Sequence, residues 1–275
     1  MADIVFGVGC SHSPLLATRP EQWDLRANDD RRNPHHPYRG EVYDYPALEA
    51  LRAGENFAEQ IKVEVRAERD ARNQRSMATL AERIEAARLD VFVVFGDDQH
   101  EVLLGDNMPG FMVYTGAQIP FKPTSPERWE KMTEGVRVAN WARVPERAMT
   151  LRGDAALAAH VVRHAVADQF DVSVSDHFKE RESAESGIGH AFGFFYHRLM
   201  DDFAKMPGLA TLPIFINTFF PPNQPPVKRC YEFGRSVGRA LRAWPGSARI
   251  GIAASGGMSH FVIDEALARR LLDAI

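Results

Sequence analysis

Residues 91–101, VFVVFGDDQHE, decide the reading of the fold: five apolar residues, a glycine, then two carboxylates, an amide, an imidazole and a third carboxylate. Unbroken apolarity over so short a run marks a β-strand covered on both faces. The abrupt change to polar groups marks the place where that strand leaves the core. The same grammar recurs along the chain. Residues 4–8 run into Ser11-His12-Ser13-Pro14, and residues 250–253 run into Ser255-Gly256-Gly257-Met258-Ser259-His260. Residues 213–216 run into Asn217-Thr218 and then a loop with four prolines, Pro221, Pro222, Pro225 and Pro226. Residues 112–114 make a fifth short apolar run. Between these strands the pattern predicts helices over residues 57–89, 155–168, 229–243 and 264–275. Strands alternating with helices give an α/β fold, read here as one domain with a central, mostly parallel or mixed sheet covered by helices on both faces.

A chain of 275 residues, 45% hydrophobic and 25% charged, has the composition of an ordinary globular domain and can bury a core without staples. Its formal net charge of −4 supplies no basic field for nucleic acid. Cys10 and Cys230 have no CxxC spacing, which excludes a zinc ribbon and a disulfide framework and points to a reducing, cytoplasmic setting. The opening MADIVFGVGC has no positive region before its apolar run, so it reads as a strand and not as a signal peptide. No run reaches the roughly 20 apolar residues of a membrane span. Residues 19–54 are polar, proline-punctuated and aromatic, with Trp23, Tyr38, Tyr43 and Tyr45. They read as an irregular insertion serving as a lid or a contact in a homo-oligomer.

In open α/β sheets ligands bind beyond the carboxyl ends of the strands, and here those ends carry His, Asp, Gln, Glu and Ser. Any one such histidine is more often structural than functional; the repetition over several strand ends carries the argument. His35 and His36 read as surface residues, and His160, His164 and His197 as helical ones. The sequence lacks a G-x-S-x-G elbow, a P-loop, an HExxH helix and an EF-hand loop. What remains is a mixed nitrogen and oxygen donor set, the chemistry of a non-haem iron or similar divalent site.

Four stretches resemble the class III extradiol ring-cleavage dioxygenases related to the protocatechuate 4,5-dioxygenase catalytic subunit. They are SHSPLL (11–16), FVVFGDDQHEVL (92–103), GIGHAFGFFYHRL (187–199), and LPIFINTFFPPNQPPVKRCYEFG (212–234) taken with ASGGMSH (254–260). The resemblance implies Fe(II), a small aromatic or heteroaromatic diol, such as a catechol or a dihydroxypyridine, and O2. It implies His12 as a metal ligand, His190 as the acid–base group, and a third ligand near the start of the 229–243 helix, with Glu232 preferred over Cys230. By strand spacing the family's second metal histidine falls on Gln99; a shift of one residue in the turn puts His100 there, and His100 is the ligand expected. His177, behind Asp176, rivals His190. His260 is a second candidate catalytic group, and Ser259 and Asn217 are candidate substrate contacts. Asp97 or Asp98 would orient a ligand imidazole from behind. Two other classes compete: a metal-dependent hydrolase on the same scaffold, and a binding relative without catalysis.

Overall fold

The structure is a computed structural model that describes residues 2–179, 187–200, 206, 208–259 and 262–274. The strands are β1 (Asp3–Cys10), β2 (His36–Tyr38), β3 (Glu41–Tyr43), β4 (Val91–Gly96), β5 (Phe111–Tyr114), β6 (Gln118–Phe121), β7 (Met149–Arg152), β8 (Ser173–Ser175), β9 (Ala210–Ile216) and β10 (Arg249–Ser255). The helices are α1 (Trp23–Arg32), α2 (Tyr45–Leu51), α3 (Phe57–Gln60), α4 (Val63–Ala87), α5 (Pro126–Lys131), α6 (Glu134–Asn140), α7 (Ala155–Ala167), α8 (His190–Phe194), α9 (Val227–Ala243) and α10 (Glu265–Leu272). Contacts group the chain into two compact units. One comprises Met1–His12, Met77–Glu130 and Ala142–Gly256; the other comprises Ser13–Ser76, Lys131–Trp141 and Gly257–Ile275.

The first unit is built on a six-stranded sheet in the order β1-β10-β4-β9-β5-β8. Every pair is parallel except β5 with β9, so the fold class is the α/β mixed sheet expected. Parallel pairing brings the carboxyl ends of β1, β10, β4 and β9 to one edge. All but one of the residues of β4 are buried, as its unbroken apolarity requires. Val91 and Val93 join Leu157 and Val161 of α7 and Phe233 and Val237 of α9 in one apolar cluster. On the opposite face Phe92 meets Phe195, ring centroids 5.8 Å apart, in the π-helical turn Phe195–Leu199 that follows α8. Strand residues alternate between faces, so one strand holds both helical layers. Gly96 lets α8 close on the strand end. A Cβ there would lie 3.0 Å from the Phe192 ring and 3.1 Å from the Ala191 Cβ.

In the second unit, residues 19–54 are more ordered than expected. They hold α1, the β2–β3 hairpin and α2. Arg39 (φ 52°) and Gly40 (φ 89°) supply the two positive-φ positions of a tight hairpin turn. The Arg39 and Arg52 guanidiniums each lie 5.1 Å from the centroid of the Tyr38 ring. Polar α1 has no apolar stripe, which hid it in the sequence; Thr133 at the start of α6 donates to Asp29 (2.6 Å) and fixes its position. The helix expected over 57–89 is two, α3 and α4, broken at Ile61-Lys62, where the β-branched Ile61 and Val63 are weak helix formers. The edge strand β8, three residues long, is also an element the apolar pattern does not reveal.

Candidate metal and acid–base site

Three strand ends and one helix start build the site within the first unit. His12 follows β1 by two residues, Asp97 follows β4 directly, Ser255 closes β10, and His190 opens α8. His12 Nε2 and His190 Nε2 are 3.2 Å apart, with the rings edge-to-face at 81°. Asp97 Oδ1 lies 3.7 Å from His12 Nε2. These three residues are the group of nitrogen and oxygen donors, among the described residues, close enough to share one ion.

The turn after β4 is folded by Asp98. Its carboxylate accepts from the backbone N–H groups of Glu101 (3.1 Å), Val102 (3.0 Å) and Leu103 (3.1 Å), which turns Glu101 inward. Burial, and then the neighbouring Glu101 charge, push Asp98 up to about 7 against the pull of those three amides. Glu101 Oε2 accepts from His190 twice, from its backbone N–H (3.0 Å) and from its ring Nδ1 (2.6 Å). Burial alone would raise the Glu101 carboxyl. The charge and hydrogen bond of His190, with help from the Arg143 charge, overcome burial and hold it at about 2. Burial likewise opposes charge on His190, but the Glu101 and Asp97 carboxylates win, and its pKa lies above the ordinary histidine value. With Nδ1 donating to a carboxylate, the other ring nitrogen of His190 faces His12. Gly189 permits this approach, since a Cβ there would sit 2.6 Å from Glu101 Oε2.

A divalent cation fits this constellation. Asp97 Oδ1 is buried and, among the described residues, accepts no hydrogen bond, a costly state for a carboxylate oxygen unless a cation answers it. His12 Nε2 and Asp97 Oδ1, 3.7 Å apart, lie within the span that two ligand atoms bound to one ion at about 2.1 Å can reach. Imidazole and carboxylate donors together suit non-haem iron.

Other expected site residues lie elsewhere. His100 is not in the group: its backbone turns to φ 58°, and its ring stacks on Phe220 with centroids 3.8 Å apart. Glu232 is not in it either; it sits half-exposed on α9, 4.0 Å from Lys228. Cys230 lies one turn inside α9 with its thiol toward the Pro225 carbonyl. Gln99 reaches Asp97 Oδ2 at 3.4 Å. His177 is exposed and pairs with Asp176 at 2.6 Å. Asn217 spends its side chain on its own loop, donating to the Phe220 carbonyl and accepting from the Phe219 and Phe220 N–H groups. Ser259, in the second unit, accepts from the Asp264 N–H ahead of α10. His260 lies outside the described residues. Sequence reasoning missed Glu101 and Ser255 as partners of the two histidines, although each stands in a strand-end cluster that the pattern marks.

Residues 59–271 match the family described as the catalytic LigB subunit of aromatic ring-opening dioxygenase, and the chain belongs to that family. The match takes in the 97–101 turn, His190 and Ser255; His12 precedes it. Over 113 residues the chain is 29% identical to a gallate dioxygenase of Pseudomonas putida, an alignment covering 41% of this chain and 30% of that protein. The chain thus spans under a third of that curated relative. Among the described residues no helix is long and apolar enough to cross a membrane.

Proposed function

We propose that this chain opens an electron-rich dihydroxylated ring with O2 as an extradiol-type dioxygenase dependent on Fe(II). The observation that carries the reading is the partly buried His12–Asp97–His190 group, with a carboxylate oxygen that accepts no hydrogen bond among the described residues. His12 Nε2 and Asp97 Oδ1 would hold the ion. Iron(II) would supply Lewis acidity toward the ring hydroxyls and a path for electrons from the ring, which is oxidised, to oxygen. His190 Nε2 stands beside that position and takes the proton of a ring hydroxyl, returning it later as a general acid. Glu101 stabilises the imidazolium that results, and its double hydrogen bond holds the ring toward His12. A carbon–carbon bond beside the hydroxyls breaks, and both oxygen atoms enter the product. Burial of Glu101 and His190 keeps bulk water from competing for that proton.

Substrates of this class are gallate-like acids, catechols and dihydroxypyridines, which share one chelating edge. The setting proposed is the cytoplasm, with a homo-oligomer in which residues 19–54 cover a site or contact a second copy. The test is oxygen uptake by the iron-loaded chain against a panel of such rings, with the opened product identified by mass. Uptake with ring-opened product, abolished in His12→Ala, supports the reading; iron retention without uptake for any ring favours the second reading, a non-catalytic metal-binding relative. Gln99 and the outward His100 are the observations that favour that alternative.

A further inference from the structure

Ser255 ends β10 opposite Cys10 of β1, and its side chain is buried. Its Oγ lies 2.6 Å from the backbone carbonyl oxygen of Ala191, an atom that only accepts, so the one hydroxyl hydrogen is committed there. The same Oγ lies 3.1 Å from His12 Nδ1. With its hydrogen spent, Oγ can only accept from that nitrogen, so the neutral His12 ring carries its proton on Nδ1. Its lone pair is then on Nε2, the nitrogen facing His190 Nε2 and Asp97 Oδ1. In water the histidine side chain prefers the opposite tautomer, with the proton on Nε2 and no lone pair to offer there.

We propose that Ser255 is a positioning residue for the metal centre: its hydroxyl, bridging Ala191 and His12, selects the His12 tautomer that presents Nε2 to a metal. Ala191 follows His190 in α8, so one hydroxyl also ties the angle of the His12 ring to the helix that carries the second imidazole. Partners behind a metal-binding histidine act in this way, fixing ring orientation and tautomer. The inference rests on the reading of His12 as a ligand, and the experiment separates the two.

The full chain, labelled with 15N and free of metal, is examined by long-range 1H–15N NMR, and Co(II) is titrated into it by absorbance. Wild type is expected to hold the His12 proton on Nδ1. Ser255→Ala is expected to gain the Nε2-protonated form and to bind Co(II) about 10- to 100-fold more weakly. Ser255→Thr, which keeps the hydroxyl, is expected to return both readouts toward wild type. A packing role alone would shift the urea midpoint and leave the tautomer unchanged. Wild-type His12 protonated on Nε2, or Ser255→Ala with unchanged Co(II) affinity, overturns the proposal. If His12→Ala binds Co(II) as wild type does, the ligand reading fails, and the wild-type tautomer still decides whether Ser255 sets the ring.

Discussion

Replacing Gly189 with alanine tests how tightly the His190–Glu101 pair is built. Gly189 has φ −67° and ψ 171°, values any residue adopts, so the cost of a methyl group there is steric and not conformational. The new Cβ would lie 2.6 Å from Glu101 Oε2 and 3.3 Å from Asp98 Oδ1. Glu101 is fully enclosed and cannot swing into water. Its carboxylate must therefore retreat from His190, weakening the two hydrogen bonds at 2.6 Å and 3.0 Å. Hydrogen bonds to charged groups contribute about 1.5–3 kcal/mol each. Removing glycine from the unfolded chain returns about 0.4–1 kcal/mol. Loss of one bond and strain in the other then leave a destabilisation of about 1–4 kcal/mol. The assay is urea unfolding of the metal-free protein, read as a lower midpoint at unchanged slope. Gly234, inside α9 with open space where its Cβ would stand, is the control: its alanine variant should gain about 0.5–1 kcal/mol. A Gly189→Ala protein as stable as wild type would refute the close approach on which the site's geometry depends.

Other expectations follow from the same geometry. In the metal-free protein the Glu101 carboxyl, depressed to about 2, contributes stability that is full above its ordinary value of 4.5 and lost as pH falls through about 2. His190, raised above 6.5, contributes stability that is full below 6.5 and lost as pH rises through its raised value, so the pair supports folding best between those limits. Asp98, raised to about 7, works against that gain as pH climbs from 3.8, and Asp98→Asn should flatten the decline in a pH series of urea midpoints. His100→Ala and Glu232→Ala should each retain iron at the wild-type level, measured as metal per chain after gel filtration; loss in either would return that residue to the ligand set. Deleting residues 19–54 should impair substrate affinity or assembly more than iron content, and unchanged kinetics with unchanged oligomeric state would remove the lid or contact role.

Apart from β8, the strands of the sheet were legible because each is a short apolar run, and polar groups end β1, β4, β9 and β10 where parallel strands put their carboxyl ends. The same signal marked His12, Asp97 and Ser255 as neighbours of one edge before any geometry was known. The detail of the turn after β4 was not legible. Whether Gln99, His100 or Glu101 points inward depends on Asp98 gathering three backbone amides, a local hydrogen-bond arrangement with no periodicity to betray it. Glu232 was drawn from resemblance, and its place on α9 follows from helix phase: Phe233, one residue on, takes the buried side. The structure of residues 19–54 was hidden for another reason. Helix α1 and the hairpin hold their places through polar contacts such as Thr133–Asp29 and Arg39–Asp264, which leave no apolar stripe to read.

Iron per chain, measured beside oxygen uptake in His12→Ala and His190→Ala with folding checked by circular dichroism, tests the central claim most directly. His12→Ala should lose iron and activity together. His190→Ala should keep its iron while turnover with a ring diol falls by roughly 10²- to 10⁴-fold, the loss expected for a general acid–base group. Loss of iron from His190→Ala would make His190 a ligand, and full iron with full activity in His12→Ala would contradict the account.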